Sequence, residues 1–258
     1  GAHGVSGNAQ IMTGTASYGT SGSILIQTGD SNGGVGGNIT AIVGKSGGLR
    51  DESGADGGNI TLDAGDTSSI GESGKGGDVK LLGGTGASDD PNTGGSGGHV
   101  KISAGASSGG NSKKNTGGNV DIFAGNQRHS TKGGTGGNIF LASGNSGKST
   151  SGNIAIKTSD AGINGISGAM KITTGTTSVG SSGSFELSTG FAVTDRGGNI
   201  MVAGGTSGAS GSKKGEDGFE GSHLTLKAGE TVATGQTGGR VSILSGTSSS
   251  REQGSGAV

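Results

Sequence analysis

The amino-acid sequence predicts an all-β fold, a parallel β-solenoid (β-helix) of about fourteen short repeats of 15–24 residues each, running as one continuous domain over residues 1–258. Three observations carry that expectation. Gly supplies 65 of the 258 residues, about a quarter, where ordinary usage is near 7%. One eight-residue motif recurs along the whole chain. The few large apolar residues concentrate in two fixed slots of that motif.

The motif reads Gly, a small or polar residue, apolar, any, apolar, any, small, Gly. Clear copies are GSILIQTG from Gly22, GNITLDAG from Gly58, GHVKISAG from Gly98, GNVDIFAG from Gly118, GNIFLASG from Gly137, GSFELSTG from Gly183 and GRVSILSG from Gly239. Looser copies begin at Gly7, Gly37, Gly77, Gly152, Gly168, Gly198 and Ser222. Leu, Ile, Val and Phe total 44 residues, and 25 of them occupy the 28 slot positions, where random placement would put about five. So low an apolar content marks disorder when net charge is high. The net charge here is −1, so placement rather than content decides the reading.

Apolar residues two apart indicate a strand, because successive side chains point to opposite faces. Ile60 and Leu62, or Val100 and Ile102, would share a face. The third position on that face is small (Ala64, Ala104, Ala124, Ser143, Thr174, Thr189, Ala228), as expected where the chain turns. The following Gly would supply the freedom to turn. Such a strand cannot bury its apolar side alone, and stacking the repeats in parallel would do so. One repeat per coil and two per coil both fit the spacing. Length variation falls between the closing Gly and the next opening Gly, as expected for loops leaving one edge.

Asn takes the second motif position at Asn8, Asn38, Asn59, Asn119, Asn138, Asn153 and Asn199. Stacked repeats would align these side chains into a hydrogen-bonded ladder. The NIT runs at Asn38 and Asn59 also fit the glycosylation acceptor pattern, although strand starts are poor places for it. Leu82, Phe123, Phe140, Met201 and Leu244 stand at outward positions where a lone rod should be polar. In a two-sheet coil loops could bury them; otherwise they predict an apolar strip for lateral association.

Motifs for chemistry are weak. ASGNSGKS, Ala142 to Ser149, fits a relaxed phosphate-loop pattern, but a strand-like run follows where the phosphate needs a helix N-terminus. The calcium nonapeptide needs an Asp recurring at one slot, and Asp78 has no equivalents. Loop carboxylates (Asp51, Glu52, Asp56, Asp89, Asp90) read more simply as solubilising charges. His3, His99, His129 and His223 are far apart in sequence, and zinc needs convergent ligands. There is no Cys. No His–Asp pairing singles out a Ser nucleophile. With no Trp and a single Tyr, the stacking platforms used for single-stranded nucleic acid are missing. Near-neutral charge argues against a general nucleic-acid binder, and no apolar run reaches membrane-span length. The expectation is therefore no enzyme active site, cofactor, metal, nucleic-acid partner or membrane span.

Loop charges are segregated by sign. Asp51, Glu52, Asp56, Asp89 and Asp90 come first, followed by Lys113, Lys114, Arg128, His129 and Lys132. Complementary pairing between neighbouring molecules is one reading of this order and solvated loops the other. The runs at both ends lack polar caps. The chain thus reads as a segment of a longer repeat protein or as a unit that stacks end to end.

GGNITLDAG and GGHVKISAG resemble the Gly-Gly-x-apolar-x-apolar-x-Ala-Gly repeats of large secreted haemagglutinin-type adhesins, which are β-helical. The spacers GASSGGNSKKNTGG and GTSSSREQGSG resemble those of repetitive surface or cell-wall proteins of diatoms and related algae. The 15-residue spacing is shorter than the adhesin coil, and the resemblance transfers no site residues. It implies a secreted or cell-surface, fibrous, non-enzymatic protein. Its expected partners are other copies of itself, end to end and laterally, with a surface polysaccharide or a mineral as further classes. Two other functions fit a solenoid. An adhesive fibre would need a tip domain. An ice-binding protein would need a regular outward row of Thr, and the actual row mixes Thr40, Thr61, Lys80, Lys101, Asp121 and Phe140.

Overall fold

A computed structural model of the chain describes residues 6–47, 56–68, 74–88, 90, 92, 94–108, 115–128, 133–163, 165–206 and 221–246. The chain divides into two units, Gly1–Phe140 and Leu141–Val258. Among the described residues of both units the backbone forms no α-helix and no β-strand. This overturns the expected all-β parallel solenoid.

The reason lies in where the backbone bonds go. A period of two fixes which side chains share a side. A ladder also needs the N–H and C=O groups of one motif to pair with those of another. The bonds present instead close single loops. The N–H of a motif's opening Gly donates to the carbonyl of the preceding motif's closing Gly, at Gly77→Gly65 (2.8 Å), Gly98→Gly84 (2.7 Å), and Gly118→Gly105, Gly137→Gly125, Gly152→Gly144 and Gly239→Gly229 (each 2.9 Å). The driving force for more is thin, with two large apolar side chains per repeat. Every ordered residue costs about 1–2 kcal/mol of backbone entropy, and Gly loses the most.

The surface follows from this. No described residue is buried. Six are half-buried, Thr28, Ala64, Ala104, Ala124, Ala192 and Ala228, and all but Ala192 are small-slot residues. The accessible surface is 26160 Å². A compact protein of 24.2 kDa would expose about 10,000 Å² and its extended chain about 35,000 Å². The exposed area therefore lies nearer the extended limit than the compact one, and there is no hydrophobic core among the described residues.

Among the described residues the left-handed glycines lie within the spacers and not at the closing position. They are Gly19 and Gly180 (φ +103° in both), Gly94 (φ +56°) and Gly235 (φ +76°). Gly94 ends a turn built by Asp90. The Asp90 carboxylate accepts from the Asn92 N–H at 2.7 Å, and its carbonyl accepts from the Gly94 N–H at 2.9 Å. This Asx geometry favours Asp before a left-handed Gly.

Candidate functional site

Each motif holds its two apolar side chains in the open. The large residues of the first slot range from 49% exposed at Val241 to 64% at Phe185. The outward residues Leu82, Phe123, Phe140, Met201 and Leu244 are 86–89% exposed. A period-two difference in exposure thus persists although no sheet forms. Within each unit the result is a regular series of apolar pairs with no side chain buried over them. Water in contact with apolar surface is unfavourable by about 25 cal/mol per Å², so covering these pairs would release free energy that the single chain does not gain.

The sequence-derived sites fall as follows. Asn8, Asn38, Asn59, Asn119, Asn138, Asn153 and Asn199 are all exposed. No hydrogen bond joins one of these side chains to another among the described residues, and the stacked strands that a ladder would need are not formed. The five outward apolar residues are exposed in their separate motifs, Leu82, Phe123 and Phe140 in the first unit and Met201 and Leu244 in the second.

The polar groups are solvated and dispersed. Asp78 meets Lys75 at 3.1 Å and Lys80 at 3.8 Å, and Lys227 pairs with Glu230. Exposed pairs of this kind contribute little to stability. Among the described residues no group of three or more His, Cys, Asp or Glu converges, and no helix is long and apolar enough to cross a membrane. His99 and His223 are exposed, and His3 and His129 lie outside the described residues. The phosphate-loop-like run folds back on itself: the Ser149 N–H donates to Ser146 Oγ at 3.0 Å and the Gly152 N–H to Gly144 O at 2.9 Å. No helix follows over residues 150–163, so the run has no helix N-terminus to offer a phosphate. Of the segregated loop charges, Asp51, Glu52, Asp89, Lys113, Lys114, His129 and Lys132 lie outside the described residues, as does the carboxyl-terminal SREQGSGAV.

The sequence alone does not identify what the small slot packs against. In the structure it is the residue that opens the next motif. A Cβ at Gly77 would lie 3.3 Å from Ala64 Cβ, one at Gly137 3.4 Å from Ala124 Cβ, and one at Gly198 3.3 Å from Thr189 Cγ2. The clue in the sequence was the pairing of a small third slot with a Gly at the start of the following motif. No protein-family model, curated protein or solved structure matches the chain.

Proposed function

We propose that this chain is a non-enzymatic structural protein whose copies associate through their exposed apolar pairs into an extracellular filament, sheath or matrix. One observation carries the reading: a periodic apolar series that the chain itself does not bury. Stable protein interfaces cover about 1,200–2,000 Å² in total. The chain exposes roughly 16,000 Å² more than a compact protein of its mass would, so covering a small part of this excess suffices for association. A second copy is a suitable occupant because it presents the same apolar period, and a net charge of −1 sets up little mutual repulsion. The likeness of GGNITLDAG and GGHVKISAG to secreted adhesin repeats supports the extracellular placement. A surface polysaccharide or a mineral is a further partner class for such a matrix.

The test is sedimentation velocity over a concentration series, with electron microscopy of the same samples. Growth of the sedimentation coefficient with concentration, and fibres or sheets on the grid, support the proposal. A chain that stays monomeric up to its solubility limit overturns it. Salt identifies the force involved. Sodium sulfate, which strengthens apolar burial, should lower the onset concentration several-fold. Sodium chloride at 1 M, where charges more than about 3 Å apart are screened, should leave the complex intact. Dissolution by sodium chloride would mean that loop charges, not apolar pairs, hold the copies together.

A further inference from the structure

The spacers differ greatly in length, but the close approach of their two ends does not. From closing Gly to the next opening residue the separation is 8 residues at Gly144–Gly152, 10 at Gly229–Gly239, 12 at Gly65–Gly77 and Gly125–Gly137, 13 at Gly105–Gly118, 14 at Gly84–Gly98 and 17 at Gly205–Ser222. In the first six cases the same N–H···O=C bond spans the gap at 2.7–2.9 Å. At the longest, Ser222 Oγ donates to Gly205 O at 2.7 Å. Two further junctions close through the small slot, where Thr28 Oγ1 donates to Gly37 O at 3.2 Å and Thr189 Oγ1 to Gly198 O at 3.1 Å. Independently of hydrogen bonding, the same two positions approach each other at all thirteen junctions between consecutive motifs, from Thr13 against Gly22 to Ala228 against Gly239.

The Gly-Gly doublets show that this approach is specific to one residue. A Cβ on the first Gly of the pair meets little: at Gly136 its nearest neighbour would be Gly125 O at 3.7 Å. On the second it runs into the neck, at Gly137 3.2 Å from Gly125 N and 3.4 Å from Ala124 Cβ. Where the small slot is itself Gly, the backbones close further, and a Cβ at Gly83 would collide with the carbonyl of Gly98. Where it is large, Val43 Cγ1 stands 2.7 Å from the Cβ position of Gly58.

We infer that the two ends of each spacer meet at a constant neck, formed by the small slot and closing residue of one motif and the opening residue of the next. The neck, not the spacer, sets how successive motifs follow one another. Spacer length and charge can then change without disturbing the apolar series. Loop-closure entropy permits this, since doubling a flexible loop lowers the closed population only about threefold. The inference rests on the junction geometry and does not depend on self-association.

The experiment uses the full chain, uniformly labelled with 15N, at a concentration below any association. Amide exchange is measured at positions 136 and 137 and corrected for intrinsic rates. The amide at 137 should exchange at least about threefold more slowly than that at 136. Gly137→Val should remove that protection, and Gly136→Ala should keep it. Inserting six Gly/Ser residues between Asn126 and Gln127 should change it by no more than about twofold. Equal exchange at 136 and 137 in the unaltered chain overturns the inference. So does an insertion that abolishes protection as fully as Gly137→Val.

Discussion

Replacing Val100, Ile102, Val120 and Ile122 together with Ser should raise the concentration at which the chain associates by about 30-fold or more. These four side chains fill the slots of two consecutive motifs and are 51–68% exposed in the single chain. Complete burial of an aliphatic side chain is favourable by about 1.5–3 kcal/mol. If association covers only a third of each, the four substitutions remove about 2–4 kcal/mol, and every 1.4 kcal/mol is tenfold in an equilibrium constant. The change destroys no core, because none of the four is buried in the single chain. The measurement is the onset of the concentration-dependent sedimentation shift. An unchanged onset would remove the apolar pairs from the proposal. The parallel variant Phe123→Ser with Phe140→Ser addresses lateral association, and thinner assemblies with a near-normal onset would assign those rings to side-by-side contact.

Heated in dilute solution, the unassociated chain should show no cooperative heat-absorption peak. A globular protein of 258 residues would absorb about 180 kcal/mol near 60 °C, at about 0.7 kcal/mol per residue. That enthalpy comes with a packed interior, and the described residues contain none. Less than about a tenth of it should appear, as a sloping baseline. Differential scanning calorimetry checks this directly, and a peak of ordinary size would mean that the free chain packs a core. At concentrations above the onset a transition should emerge and move upward with protein concentration, since binding to another copy stabilises by mass action.

The two results address the point at which the sequence misleads. Ile60 with Leu62, or Val120 with Ile122, announce a strand by their spacing, and Ala64 and Ala124 announce a place where only a small residue fits. The slots and the small position were legible, and both mean something in the structure: the slot residues are less exposed than Phe123 or Phe140 beside them, and Ala64 and Ala124 are among the few half-buried residues. The pairing of one motif's backbone with another was not legible. Nothing in GNITLDAG says whether Ile60 N–H meets a partner strand or water. The Asn positions illustrate the same limit. Their recurrence at Asn59, Asn119 and Asn138 predicts a ladder, but alignment in sequence gives alignment in space only when the repeats stack.

The sequence by itself determined the period, the two apolar slots, the small residue that follows them and the segment in which length varies. These are properties of local spacing, and side-chain direction along a chain follows from spacing alone. Only the tertiary structure decided that the motifs do not pair into sheets, that the small slot meets the opening residue of the next motif, and that the apolar series stays in water. Those outcomes depend on a balance between ordering a chain that is one-quarter Gly and burying two side chains per repeat. That balance is set by the whole chain and not by any one motif.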